Sequence, residues 1–246
     1  MATFFKWRIQ HIVLWIFGGV MKTEEHGHVD IKEEIFVTLA GPFQHIFIYI
    51  GAFALSGWGG AVSPILPPSI TDLILYYNTV IFLFNLIPIW PLDGGKLMFS
   101  FLTLFKPYRQ AYNLTIILSM IASLGLLIIP LFVTPFTLSS FFIFIFLLME
   151  NRTEWKHRYY VFIRFLLKRY EGRTPIRGIQ SLHVPHQYSL MDVFAHFRRD
   201  KKHSIYVMFP GSERQSIDES DCLRSYFHEK NYNQTVGDII ENLNRH

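Results

Sequence analysis

Four apolar runs, Ile35–Trp58, Ile70–Leu92, Tyr112–Val133 and Pro135–Met149, alternate with short polar breaks and then give way to a polar tail. At 1.5 Å of rise per residue, the first three predict helices long enough to cross a hydrocarbon core of about 30 Å. The fourth is shorter, and Pro130 and Pro135 break the region before it, which predicts a bent or tilted pair. Ahead of the runs, Trp7, Ile9, Ile12, Val13 and Trp15 are β-formers ending in Gly18-Gly19, which predicts a strand and turn in or near the membrane. Ile12–Val20 is too short to span and lacks a small-residue cleavage site, so it does not read as a signal peptide. Met21–Glu34 reads as a polar loop, and Leu97–Phe105 as an interfacial helix. In the tail, Ser189 caps a predicted helix over Ser189–Arg198 that buries Met191, Val193, Phe194 and Phe197. A strand over Ser204–Phe209, a turn at Gly211 and helices over Asp218–Glu229 and Thr235–Leu243 follow. The expected fold class is mostly α: polytopic membrane helices with a short N-terminal β-hairpin and a C-terminal α/β domain. The expected divisions are a membrane-associated strand and loop region (1–34), a transmembrane core of about four spans (35–149), a basic linker (150–179) and the tail domain (180–246).

Composition strengthens this picture. Half of the 246 residues are hydrophobic and 24 are Phe, too apolar for an ordinary soluble domain. The net charge of +4 hides an asymmetry, since 7 of the 23 Lys and Arg precede Asn151 and 16 follow it. Between Asn151 and Arg177 stand 8 basic residues against 2 acidic ones, a juxtamembrane segment suited to anionic membrane lipid rather than to nucleic acid. The loops Trp58–Ser69 and Thr134–Ser140 carry no Lys or Arg, whereas the loop after Asp93 carries Lys96, Lys106 and Arg109. The positive-inside rule therefore puts Met1–Glu34, the Asp93 loop and the C-terminal domain on the cytoplasmic side of a multi-pass membrane protein. The single Cys222 excludes an internal disulfide and is expected to be a small buried residue.

Candidate chemistry concentrates between Asn85 and Lys96. From Ile70 to Leu92 the only charge is Asp72, so Asp93 stands at the end of a membrane-length apolar run. A carboxylate near the bilayer interior costs on the order of 2.5–3.5 kcal/mol, which calls for a partner, a water-filled cavity or a metal. Pro88 and Pro91 remove backbone donors and interrupt the helix, and Gly94 and Gly95 permit close backbone approach. His26 and His28, two apart, could face one way on a strand and hold a metal, although a solvated loop pair is the commoner case. Gln44 and His45 follow Ala40-Gly41-Pro42, a small-residue site on the first run. His45 either makes an interhelical hydrogen bond or lines the catalytic cavity.

Asn85, Pro88, Pro91, Leu92, Asp93 and Gly94 resemble the Asn-Pro-Asp-Gly motif of site-2-type intramembrane zinc metalloproteases. Trp7-Arg8-Ile9, Phe17-Gly18-Gly19, Glu25-His26-Gly27, Ala40-Gly41-Pro42 and the tail are similar to the stage IV sporulation protein FB branch of that family. The resemblance implies that Asp93 is the third zinc ligand and that Asn85, Pro88, Pro91 and Gly94 shape the substrate groove. It also implies that the N-terminal strand receives substrate as an added β-strand, and that the substrate is a membrane-associated sigma-factor precursor cut during sporulation. The tail's element order resembles a single CBS module, the unit that binds adenine nucleotides when paired. That makes ATP and homo-oligomerisation through this domain candidates beside a docking domain without ligand. Membrane inhibitory partners are further expectations of the same resemblance.

A zinc protease needs three protein ligands and an open water position. Two normally come from His-Glu-x-x-His, whose residues four apart share a helix face and whose Glu serves as general base. None of the 11 His in this chain stands in that pattern. The family places the motif just before the Trp-Arg-Ile strand, so the expectation is a truncated start, with the motif encoded upstream of Met1. A genuine short form is the alternative. Taken literally, the chain supplies one ligand of three and is expected to be inactive, which keeps open a catalytically inactive membrane adaptor that binds the same partner. A transporter is disfavoured because the spans show no internal repeat.

Overall fold

The computed structural model describes residues 9–15, 18–23, 29–57, 65–133, 137–210 and 214–244. Trp7, Arg8, Phe17, Glu25, His26, Gly27 and His28, and with them the candidate histidine pair, lie outside the described residues.

A hairpin comes first. Strands β1 (Ile9–Trp15) and β2 (Gly18–Thr23) pair antiparallel, with Trp15 opposite Gly18 and Leu14 opposite Gly19. Gly18 and Gly19 thus open the second strand rather than end the first, and Met21, Lys22 and Thr23, expected in a loop, extend it.

Five helices follow: α1 (Ile31–Leu55), α2 (Pro68–Leu86), α3 (Asp93–Phe105), α4 (Tyr108–Val133) and α5 (Leu138–Tyr170). Among the described residues, α1, α2 and the Tyr108–Ile129 part of α4 are long and apolar enough to cross a membrane. Their outward faces carry large bare side chains, with Phe47 74% and Leu83 58% exposed. Such faces suit hydrocarbon, where the backbone is satisfied within each helix and apolar side chains lose nothing by contact with lipid. The fourth expected span is only the first part of α5, which continues as one helix through the basic segment to Tyr170. Pro68 starts α2 without losing a helical bond, and Pro88 ends it by excluding α geometry from Ile87, which is extended at φ −60°, ψ 132°. The interfacial helix expected from Leu97 begins earlier, at Asp93.

The chain divides into two compact units. The first gathers Lys32–Phe99 and Thr115–Glu154. In it, His45 of α1 donates through Nδ1 to Asn78 Oδ1 of α2 at 2.6 Å, and Asn78 Nδ2 returns a bond to the His45 carbonyl at 3.2 Å. This reciprocal pair is buried, and of the two roles open to His45 it is the interhelical one.

The second unit includes Ser100–Leu114 and Trp155–His246. Strand β3 (Gly178–Pro185) runs parallel to β4 (Lys201–Met208), and β4 antiparallel to β5 (Arg214–Asp218). The crossover between β3 and β4 carries α6 (Leu190–Phe194). The helices α7 (Glu219–Phe227) and α8 (Val236–Asn244) follow β5. Ser189 and Asp192 form a reciprocal capping box on α6. The helix is shorter than its pattern predicts, yet Val193, Phe194 and Phe197 are buried as expected, whereas Met191 is only half-buried because the short helix turns it toward the edge. β4 buries alternate residues His203, Ile205 and Val207 beneath them. β3 is not legible in the sequence because its burial alternates but its residue types do not: Ile179 faces outward, Gly178 and Gln180 inward, and only Val184 is fully buried.

Candidate active site

Between Leu86 and Asp93 the chain leaves helix, turns, and re-enters helix. The backbone is held by short-range bonds, Ile89 N–H to the Ile87 carbonyl at 2.7 Å and Leu92 N–H to the Ile89 carbonyl at 2.8 Å. Ile89 is completely buried and anchors the break. Trp90, followed by a cis bond to Pro91, has both backbone polar groups taken by side chains of neighbouring helices. Its N–H donates to Ser119 Oγ of α4 at 2.9 Å, and its carbonyl accepts from Asn151 Nδ2 of α5 at 2.7 Å. Unsatisfied backbone within an apolar bundle costs several kcal/mol, so these two side chains are what allows a non-helical segment here.

The break aims Asp93. As the first residue of α3, it lies at the positive end of that helix, a favourable place for a carboxylate. Oδ1 accepts from Lys96 Nζ, one turn on, at 3.2 Å. Oδ2 lies 2.8 Å from where a Cβ on Gly41 of α1 would sit, so the small-residue site leaves the room this oxygen occupies. Among the described residues Lys96 is its only polar partner, and the Asp93 side chain keeps 24% of its surface. A Cβ on Gly94 would overlap the carbonyl oxygens of Leu86 and Ile87, so only glycine lets α3 start this close to the end of α2.

The predicted residues are therefore brought together, with Asn85 in the last turn of α2, Pro88 and Pro91 in the break, and Asp93 and Gly94 opening α3. Gly41, Ser119 and Asn151 were missed as parts of this site. Ser119 stands inside an apolar run and Asn151 just after one, and nothing in their spacing points back to residue 90. Zinc was the expected metal, and the fit is partial. The Asp93 carboxylate is a suitable hard ligand, but among the described residues no three His, Cys, Asp or Glu converge on one point. One carboxylate does not make a zinc site.

The profile of peptidase family M50 matches residues 60–128, which contain the whole break. The chain is also 35% identical over 241 residues to stage IV sporulation protein FB of Bacillus subtilis, covering 98% of this chain and 82% of that protein. The chain belongs to peptidase family M50. It is 32% identical over 97 residues to the "Putative zinc metalloprotease Rip3" of Mycobacterium tuberculosis, covering 38% of this chain and 24% of that protein. Membership in M50 implies zinc-dependent peptidase chemistry, and with three membrane-length helices it makes this an integral membrane protein.

The second unit holds a different charged centre. Arg169, near the end of α5, donates from Nε and Nη2 to the two oxygens of Glu219, and from Nη1 to the Arg198 carbonyl at 2.9 Å. His203 adds its backbone N–H at 2.8 Å and Nδ1–H at 2.9 Å to Glu219 Oε2, while its Nε2 accepts the Arg198 N–H. That pattern fixes the neutral, Nδ1-protonated ring. Burial pushes the Glu219 carboxyl up, but the bonds from His203 and Arg169 outweigh it and hold the group below the ordinary range. Burial also pushes the Cys222 thiol up to about 12, which leaves it inert, as expected for a buried packing residue.

Proposed function

We propose that this M50 peptidase cuts a membrane-associated sigma-factor precursor during sporulation. Asp93 is one ligand of its zinc, and Asn85, Pro88, Pro91 and Gly94 form one wall of the substrate groove. The observation that carries the proposal is the placement of Asp93. Its carboxylate stands at a helix break whose backbone is already satisfied by Ser119 and Asn151, with one oxygen engaged by Lys96 alone. When bound, zinc in such enzymes acidifies a water and polarises the scissile carbonyl. The chain's own residues do the positioning. Ile89, Ser119 and Asn151 hold the break still, and Lys96 steadies the carboxylate. Two further ligands and a general base are required, and the proposal places them outside the described residues.

The hairpin β1–β2 supplies an edge for the substrate strand in this reading, and the C-terminal unit is a cytoplasmic CBS-like domain. Basic loop charge supports that orientation, and element order supports the CBS likeness. ATP at that domain, self-association through it and membrane inhibitory partners belong to the same proposal.

The test is cleavage of a single-span precursor by the full-length protein in liposomes, with zinc content measured on the same sample. Asp93→Ala is expected to lower both by at least about 100-fold, more than loss of a supporting residue would. Full activity with full zinc in Asp93→Ala would overturn the proposal, and binding of the precursor without any cleavage by the parent protein would leave the adaptor reading.

A further inference from the structure

A cavity of about 200 Å³ in the second unit is lined by Arg109 and Asn113 of α4 and by Lys156, Arg158 and Tyr159 of α5. We infer that it is a binding site for a phosphate group, such as an anionic phospholipid presents at the membrane surface. The protease reading neither requires nor supplies this site.

The lining is built for an anion. Three of its five side chains are cations, and the others end in an amide and a hydroxyl. Arg109 and Asn113 are one turn apart on α4, as are Lys156 and Tyr159 on α5, so each helix presents a pair to the same space. Both guanidiniums are oriented before any ligand arrives. Arg158 stacks 3.9 Å over the Trp155 ring and donates to the Trp155 carbonyl at 3.0 Å, and Arg109 lies 5.6 Å over Phe162. A planar guanidinium already held by an aromatic face loses little freedom when it grips a phosphate. Counter-charge is scarce, because α4 contains no acid and Glu154 is the only acid within a turn of the three α5 residues. Glu154 has an interaction of its own.

The place also suits the ligand. Arg109 is in the first turn of a membrane-length helix, and Lys156 comes seven residues after Met149, which closes the apolar part of α5. Both therefore stand at the level where hydrocarbon gives way to headgroups. Trp155, Tyr159 and Tyr160 flank Lys156 and Arg158 along α5, and both tyrosines are exposed, the aromatic composition of a membrane interface. A phosphate held here would bridge α4 to α5.

The experiment is thermal unfolding of the full chain in neutral detergent. Short-chain phosphatidylglycerol, phosphatidylcholine of the same chain length, or inorganic phosphate is added at matched ionic strength. Arg109→Gln/Lys156→Gln removes two cavity charges at exposed positions, and Lys106→Gln/Arg152→Gln removes two exposed charges elsewhere. A rise in Tm of about 3 °C or more with phosphatidylglycerol, lost in the cavity variant and kept in the control variant, supports a lipid headgroup. The same variant-sensitive rise with inorganic phosphate supports the site with a free anion as its source. No rise with either, or a rise lost equally in both variants, overturns the inference.

Discussion

The carboxylates of Glu219 and Asp93 are each shielded from bulk water and paired with a cation, yet they are treated in opposite ways. Glu219 has both oxygens occupied, by Arg169 and by two donors of His203, and its side chain is 4% exposed. Asp93 has one oxygen on Lys96, the other against the open side of Gly41, and is six times more exposed at 24%. Where every lone pair is used, the group is a fastener, because any new ligand would have to displace a bond that burial has made expensive to lose. Where one oxygen is left over and the backbone around it is satisfied independently, the group is available for chemistry. The molecule thus spends its hydrogen bonds on Trp90, beside Asp93, and leaves the acid itself under-bonded.

Breaking the tail centre is expected to produce the largest loss of stability. Arg169→Met removes the cation from buried Glu219 and leaves it only the two His203 donors, which should cost about 3–5 kcal/mol, read by thermal unfolding or by protease sensitivity of the tail. The double change Arg169→Met/Glu219→Met should recover much of that. The same centre carries a pH signature. Because the folded state holds the Glu219 pKa below its ordinary value of 4.5, its contribution is complete above that value and is lost as pH falls through the lower folded value. Glu219→Gln should flatten acid sensitivity in that window, and unchanged acid sensitivity would deny the network its fastening role.

The helix break comes next. Gly94→Ala forces a Cβ against two carbonyls and should cost about 1–3 kcal/mol, with peptidase activity falling further than stability because Asp93 moves with α3. Equal loss of both would mean that the break is packing and nothing more. The smallest effect is expected at the α1–α2 pair, where Asn78→Leu removes the partner of His45. Interhelical hydrogen bonds inside membranes average about 0.6 kcal/mol, so thermal unfolding in detergent should shift only slightly.

Much of the fold could be read from local pattern. Apolar runs of membrane length, Pro88 after Leu86, and the Ser189 cap each act within a few residues, so the sequence alone determined three spanning helices, a break before Asp93 and the start of α6. It also singled out Asp93, because an acid at the end of such a run is expensive wherever the rest of the chain goes. The sequence could not say what would satisfy the break or how its acid would be shared. Gly41, Ser119 and Asn151 come from three other helices, and their contacts exist only once those helices pack. The same holds for Arg169, which looked like one more charge in a basic run and is in fact 2% exposed against Glu219, fifty residues away. Whether a polar side chain is solvated, fastened or left free depends on what the folded chain brings within about 3 Å of it, and that is decided by tertiary structure.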